Sequence, residues 1–282
     1  MAHLRGKVVL ITGAAGGLGS AYARLFAHHE AQLVLNDAGL AKGGELPPER
    51  ERLSALVDEL RAAGHDVKAH YDSIATTDGA HHLIRTAVDH FGRVDVLINS
   101  AGFGVDRTLL KLEESALTGV LDVHIKGTLF CTQAFARQVF AQGGGGRIVN
   151  TTSTAGLLGQ FGQAAYSMAS AAVYALTRTS SIELQKHRIT VNAIAPLAKT
   201  RLTQHLPLFE GVSSLSPEHI APAVLFLASD LCGDRTGHVL AAAGARMYAL
   251  KFVESTGRFK EDESSVWTAE EIASAWDGIA KL

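Results

Sequence analysis

The sequence predicts an α/β fold: one domain built on a doubly wound, seven-stranded parallel sheet with helices on both faces. Three observations carry that reading. Apolar runs rich in β-branched residues alternate with stretches of helical spacing along the whole chain. The first run feeds a glycine-rich turn, Thr12-Gly13-Ala14-Ala15-Gly16-Gly17-Leu18-Gly19. The second run closes on an acid, Asp37.

The elements follow in order. Val8-Val9-Leu10-Ile11 reads as a buried strand, and Ser20–His29 beyond the turn has helical spacing. Ala31–Asp37 is the second strand. The Gly/Pro-rich stretch Ala38–Pro48 is a loop, and Pro48 suits the first turn of a helix reaching about Ala63. His65–His70 is a short third strand, Thr76–Phe91 a helix and Val94–Asn99 the fourth strand. Ser115–Gln142 has the length of one long helix, ended by Gly143–Gly146. Arg147–Thr152 is the fifth strand, Ala164–Lys186 a helix, and Ile189–Ala195 a sixth strand stopped by Pro196. Pro217–Ser229 is helical, Val239–Ala243 is the seventh strand and Thr268–Ala280 a small terminal helix. The main domain is expected over residues 1–250, with a C-terminal extension over 251–282.

The 282 residues suffice for one large α/β domain with a buried core, and 47% apolar with 19% charged residues argues against disorder. A net charge of −2 leaves no electrostatic footprint for nucleic acid. Cys131 and Cys232, the only two cysteines, lie far apart, which suits a reducing compartment rather than a disulfide framework. No run is long and apolar enough for a membrane span, and no signal peptide precedes the first strand. The expected location is therefore the cytoplasm. Ala280-Lys281-Leu282 resembles a peroxisomal C-terminal tripeptide, which makes the peroxisome the alternative in a eukaryote. The 13 histidines include His28-His29 and His81-His82, but neither pair has a third ligand at metal spacing, so no metal is expected.

In a doubly wound sheet, ligands bind beyond the carboxyl ends of the strands, where strand order reverses. Gly13–Gly19, Asp37, Asn99 and Ser153 all close strands and are expected to meet in one crevice. The glycine turn lets backbone N–H groups approach a dinucleotide pyrophosphate at a helix N-terminus. Asp37 can accept hydrogen bonds from both adenosine ribose hydroxyls and repel a 2′-phosphate, which favours NAD; its other reading is a strand-end turn cap. Asp72-Ser73 is placed to meet the adenine edge. Asn99-Ser100-Ala101-Gly102 is small enough for close approach of a cofactor, or is an ordinary turn. The segment 197–217 is too long for a minimal connection and reads as a flap over substrate. Its Leu206, Leu208 and Phe209 point to an apolar acyl or ring substrate, or to a loop packed on the core.

Ser153 follows the fifth strand, and Tyr166 lies 13 residues later at a helix start. Taken with Thr12–Gly19, Asn99–Gly102 and Asn192–Pro196, these residues resemble the short-chain dehydrogenase/reductases over about residues 5–245. A nearer likeness, in Leu35-Asn36-Asp37, Tyr71-Asp72-Ser73, Val123–Gly127, Gly162–Ser167 and Arg201-Leu202-Thr203, is to the (3R)-hydroxyacyl-CoA dehydrogenase domains of peroxisomal multifunctional enzyme type 2. It extends into the tail at Trp267–Trp276. The resemblance implies a single-domain Rossmann fold and a homodimer or homotetramer built on the two long helices. It also implies catalysis by Tyr166 as acid/base, Ser153 as orienting hydroxyl and His124 as proton relay. Gly13, Ala15, Gly17, Leu18, Gly19, Asp37, Asp72, Ser73, Asn99, Ala101, Gly102, Tyr166, Ser170, Pro196 and Thr200 form the expected cofactor-binding set.

One position departs from the family. The lysine expected four residues after the tyrosine is Ser170. A cation about 4 Å from a phenolate is worth about 4 kcal/mol at an effective dielectric of about 20, or about three pKa units. Ser170 supplies a hydrogen bond without that charge, so alcohol oxidation should suffer more than ketone reduction. Lys126 and Lys199 are candidate substitutes, each also readable as a solvated side chain or one packed at a subunit contact. The leading expectation is an NAD-dependent oxidoreductase for a secondary alcohol or ketone, with a 3-hydroxyacyl thioester or a cyclic ketone as substrate. The alternatives are an NAD-binding homologue serving as a structural or regulatory subunit, and a lyase or cyclase that reuses Tyr166, Ser153 and His124.

Overall fold

The computed structural model describes residues 4–39, 50–200, 203, 215–262 and 264–281. Among them the chain runs β1 (Val8–Thr12), α1 (Gly17–His28), β2 (Gln32–Asn36), α2 (Glu51–Ala62), β3 (Val67–His70), α3 (Thr77–Phe91) and β4 (Val96–Asn99). It continues through α4 (Glu114–Leu121), α5 (Thr128–Gln142), β5 (Gly146–Thr151), α6 (Ala155–Leu158), α7 (Ala164–Leu184), β6 (Ile189–Leu197) and α8 (Ala221–Ala228). The last elements are β7 (Val239–Ala243), β8 (Arg246–Leu250) and α9 (Ala269–Ile279).

The sheet order is β3-β2-β1-β4-β5-β6-β7-β8. The six ladders from β3 through β7 are parallel. β1 is central, and all five of its residues are buried. Its side chains alternate between two cores, as the period of a strand dictates. Val9 and Ile11 join Tyr22 and Phe26 of α1, Leu53 of α2 and Val224 of α8. Val8 and Leu10 join Leu83 of α3 and Phe135 of α5 on the opposite face. A strand buried on both faces must be apolar at every position, which is why this run was legible without alternation.

Several elements differ from expectation. Strand β6 is not stopped by Pro196 but runs through it to Leu197, since proline can still offer its carbonyl to a ladder. The helix expected over Pro217–Ser229 opens with a 3-10 turn at Pro217–His219, and α8 proper starts at Ala221. The parallel sheet carries an eighth strand: Gly244 and Ala245 turn β7 directly into β8, with Gly244 at φ +56°. A two-residue connection can join only antiparallel strands, so β8 is an antiparallel edge on an otherwise parallel sheet. The expected single helix over Ser115–Gln142 contains a π-helical turn at Asp122–Gly127, between α4 and α5. Helix α1 begins at Gly17, three residues before Ser20. The expected helix start at Pro48 lies outside the described residues, as do Leu206, Leu208, Phe209 and Leu282. No helix among the described residues is long and apolar enough to cross a membrane.

The chain divides into two compact units, Met1–Ala249 and Leu250–Leu282. Within the second, α9 opens on a capping box. The Thr268 hydroxyl accepts from Glu271 N at 3.2 Å, and Glu271 Oε2 accepts from Thr268 N at 2.8 Å. Lys260 pairs with Glu271 at 2.6 Å and stands 5.3 Å from the Trp267 ring.

Candidate active site

Strand order reverses between β1 and β4, and their carboxyl ends frame the crevice. Thr12 ties the two ends together: its hydroxyl oxygen accepts from Ser100 N at 3.0 Å and Ala101 N at 3.1 Å. Gly13 then turns at φ +66°, and a Cβ there would lie 2.6 Å from Ala101 Cα. A Cβ at Gly19 would run into the Gly13 carbonyl. Both positions exclude any larger residue. Gly16 provides no side-chain cap, so the first N–H groups of α1 lack intrahelical partners and open the helix N-terminus towards the crevice.

The resulting cavity, about 150 Å³, is lined by Gly13, Ala15, Gly17, Leu18, Gly19, Asp37, Ser73, Ala101, Gly102 and Thr200 from the expected set. Asn36, Arg52, Ile74, Phe103 and Val123 also line it and were not anticipated. Asp37 Oδ2 accepts from Ala15 N at 3.0 Å, and Oδ1 accepts from Gly39 N at 2.8 Å. The carboxylate is thus pinned to the glycine turn, with lone pairs left for further donors. These features fit a dinucleotide: bare backbone for the pyrophosphate, a helix N-terminus, and an acid at the ribose end.

Other expected residues lie outside that lining. Asn99 is buried, with Nδ2 donating to Asn150 Oδ1 at 2.9 Å and to the Thr132 hydroxyl at 3.4 Å. It braces β4 against β5 and α5. Asp72 sits beside the crevice with His82 Nδ1 3.0 Å and His70 Nε2 3.5 Å from its Oδ2. The His82 contact leads in holding the Asp72 carboxyl below its ordinary value. Behind it, Asn36 Nδ2 reaches His70 Nδ1 at 3.0 Å and the Asp72 carbonyl at 2.9 Å, joining β2 to the end of β3. Pro196 is paired in register with Ala242 inside the β6–β7 ladder. Thr200 packs against Gly17, 3.1 Å from the place a Cβ would take. Only the base of the expected flap is described, where Lys199 N donates to the Leu215 carbonyl at 2.6 Å.

The four expected catalytic residues form one cluster. Tyr166 lies in the first turn of α7, and both Ser153 and Ser170 hydroxyls hydrogen-bond its phenol. Burial pushes the Tyr166 phenol above its ordinary value, and the two serines draw it partly back. Ser170 is itself buried, and its carbonyl accepts from the Thr152 hydroxyl at 2.8 Å. The position expected to hold a lysine presents a hydroxyl to the phenol instead. The ring of His124 stands 5.4 Å from that of Tyr166, centroid to centroid.

The π-helical turn places His124, since it bulges the helix where Gly102 leaves room; a Cβ on Gly102 would collide with the imidazole. Lys126 spans this turn in an ion pair with Asp122 at 2.6 Å. His124 Nε2 lies 3.0 Å from Phe103 N and 2.9 Å from Phe103 O. One nitrogen serves one of these at a time: bare, it accepts from the N–H; protonated, it donates to the carbonyl. Burial pushes the imidazolium pKa down, opposed by the Phe103 contact, so His124 is a neutral ring with two usable tautomers.

Comparison with known proteins agrees with this geometry. The sequence profile described as short chain dehydrogenase matches residues 7–208. Peroxisomal multifunctional enzyme type 2 of Drosophila melanogaster is 39% identical over 279 residues, covering 98% of this chain and 46% of that enzyme. The chain therefore spans less than half the length of this multifunctional relative. The (2S)-[(R)-hydroxy(phenyl)methyl]succinyl-CoA dehydrogenase subunit BbsD of Thauera aromatica is 37% identical over 253 residues, covering 86% of this chain and 97% of that protein. A crystal structure of a short chain dehydrogenase from Mycobacterium paratuberculosis bound to NAD superposes with a TM-score of 0.77 at 26% identity, covering 86% of this chain and 97% of the other. With the profile and these relatives spanning most of its length, the chain belongs to the short-chain dehydrogenase/reductase family and is an oxidoreductase of that type.

Proposed function

We propose that this chain is an NAD-dependent oxidoreductase that interconverts a secondary alcohol and a ketone, with a 3-hydroxyacyl or 3-ketoacyl thioester as substrate and reduction as the easier direction. The observation that carries this reading is the Tyr166 phenol, held by Ser153 and Ser170 beside a crevice suited to a dinucleotide. The cofactor, when bound, supplies or receives the hydride. The protein handles the proton. In reduction the Tyr166 phenol donates to the developing alkoxide while the Ser153 hydroxyl steadies that oxygen. Solvent then restores the proton that Tyr166 has given up, and the neutral His124 ring beside the phenol is the group placed to hand it on. In oxidation Tyr166 must first lose its proton, and burial without a neighbouring lysine opposes that.

Support for NAD comes from Asp37 at the ribose end and from the NAD-bound structural neighbour. Support for an acyl thioester comes from the Thauera relative, by name a dehydrogenase of a hydroxy-substituted succinyl-CoA. The exposed Phe140 on α5, and Met168 and Ile182 on α7, support assembly as a homodimer or homotetramer through those helices, which sedimentation would test. The deciding experiment is NADH oxidation with a β-ketoacyl-CoA and a panel of cyclic ketones, run beside Ser170→Lys. Turnover by the native chain is expected. Turnover by the variant alone would favour a second reading, a cofactor-binding subunit with disabled chemistry, which the serine at position 170 motivates.

A further inference from the structure

A second, larger cleft lies at the other pole of the sheet. It is open, encloses about 600 Å³ and is lined by residues that precede four parallel strands. Lys7 stands before β1, Asp95 before β4, Gly145 before β5 and Arg188 before β6. These strands are neighbours in the sheet, so the cleft runs along their amino ends over about 14 Å at ordinary strand spacing. The dinucleotide crevice opens at the carboxyl ends and shares no lining residue with it.

The glycine run that ends α5 lines this cleft. Gly144 and Gly145 turn at φ +109° and +136°, where residues with a side chain are strained. A Cβ on Gly145 would lie 2.6 Å from the Arg188 carbonyl oxygen, and Gly146 N donates to that same oxygen at 3.1 Å. The N–H groups of Gly144 and Gly145 have no partner among the described residues. Arg188 is itself held at φ +58°, a conformation that only glycine adopts without a Cβ penalty.

The charges of the lining sort into pairs and a remainder. Arg93 holds both oxygens of Asp95, at 2.9 and 2.6 Å, and Arg147 pairs with Asp230 at 3.3 Å. Lys7 and Arg188 remain, and neither side chain makes a hydrogen bond or ion pair among the described residues. Asp234, the carboxylate of the lining without an ion pair among the described residues, lies in the turn that leads into β7, beyond Arg188.

We propose that this cleft is a second ligand site, for a chain of two or more phosphates laid along the strand ends. Lys7 and Arg188 clamp the chain from either side, and the N–H groups of Gly144 and Gly145 bind oxygens between them. A guanidinium fork and bare N–H groups suit phosphate oxygens, and donors spread over several strands suit a chain better than a single ion. The site is independent of the reaction proposed above.

The test is calorimetric titration of the native chain, saturated with NADH to keep the probes out of the crevice. The probes are sodium tripolyphosphate, ATP and inorganic phosphate. Tripolyphosphate or ATP should bind about tenfold tighter than inorganic phosphate, or better, and weaken with added salt. Preference for ATP would mark a nucleotide as the source of the chain, and preference for tripolyphosphate a free phosphate chain. Lys7→Gln and Arg188→Gln should each weaken binding about tenfold while NADH affinity stays within about threefold. Arg188→Gly should melt no lower than the native chain yet bind as poorly as Arg188→Gln, because it removes the charge and relieves the backbone together. Asp234→Asn should tighten binding by lifting repulsion at the far end. No tripolyphosphate or ATP binding in the presence of NADH would overturn the proposal. So would inorganic phosphate binding equally well, or full affinity in the Lys7 and Arg188 variants. If NADH itself does not bind, the dinucleotide reading fails, and the same variants titrated with tripolyphosphate alone still decide this one.

Discussion

The imidazole of His124 stands edge-on to the phenol of Tyr166, with ring centroids 5.4 Å apart and planes at 81°. His124 reaches that position through a π-helical turn, and its Nε2 faces both polar atoms of the Phe103 backbone. A relay so placed acts on turnover rather than on cofactor affinity. His124→Ala should lower kcat about a hundredfold in either direction and leave the NADH dissociation constant unchanged. Steady-state kinetics beside a binding titration separates the two. Weakened NADH binding with intact kcat would assign His124 to the architecture of the crevice instead.

Tyr166 makes the two reaction directions respond differently to pH. Its phenol is pushed up by burial. Below that raised pKa, the ionised form needed for oxidation grows about tenfold per pH unit, whereas the protonated form needed for reduction is complete at neutral pH. Oxidation should therefore rise steadily into alkaline solution while reduction stays level and then falls. Ser170→Lys should carry the rising limb down by up to about three pH units. A limb that stays in place in that variant would remove Tyr166 from the acid/base role.

Gly13 offers a steric test of the crevice. At φ +66° and with Ala101 Cα in the way, alanine has neither the backbone conformation nor the space. Gly13→Ala should cost about 1–3 kcal/mol of stability and abolish measurable NADH binding. Urea denaturation and fluorescence titration read the two effects. Unchanged NADH affinity would show that the turn tolerates displacement and that the pyrophosphate is not held there.

Both cysteines should be silent in the native protein. Burial pushes the Cys131 thiol up to about 12, and burial likewise raises Cys232. At pH 8 almost no thiolate is present, so iodoacetamide should label neither residue until the chain is unfolded. Mass spectrometry of native and urea-treated samples decides it; rapid native labelling would mean that α5 or the Cys232 turn opens readily.

The sequence made the crevice legible because its parts are backbone requirements. Val8–Ile11 must be apolar throughout a strand covered on both faces, and Gly13 and Gly19 stand where no Cβ fits. What stayed hidden has physical causes. Glycine is a poor helix former, so Gly17 read as turn rather than as the start of α1. The π-helical turn at His124 has no spacing of its own in a run that reads as continuous helix. Asn99 offered an amide for a ligand or for a neighbour, and only the fold chose Asn150 and Thr132. Arg52 lies 15 positions beyond Asp37, and no local pattern ties the two together.

The position of β1 governs how the molecule comes off the ribosome. Val9 pairs with Leu33 on one side and Val96 on the other. At ordinary synthesis rates, roughly 3–12 s separate the emergence of those two partners. During that interval the β4-facing edge of the apolar strand β1 is bare, and it is the edge on which the crevice is later founded. Dinucleotide cannot rescue the nascent chain then, because its site awaits the ends of both β1 and β4. The order of synthesis thus leaves this edge uncovered early, and a bound ligand can add stability only once β4 has joined the sheet.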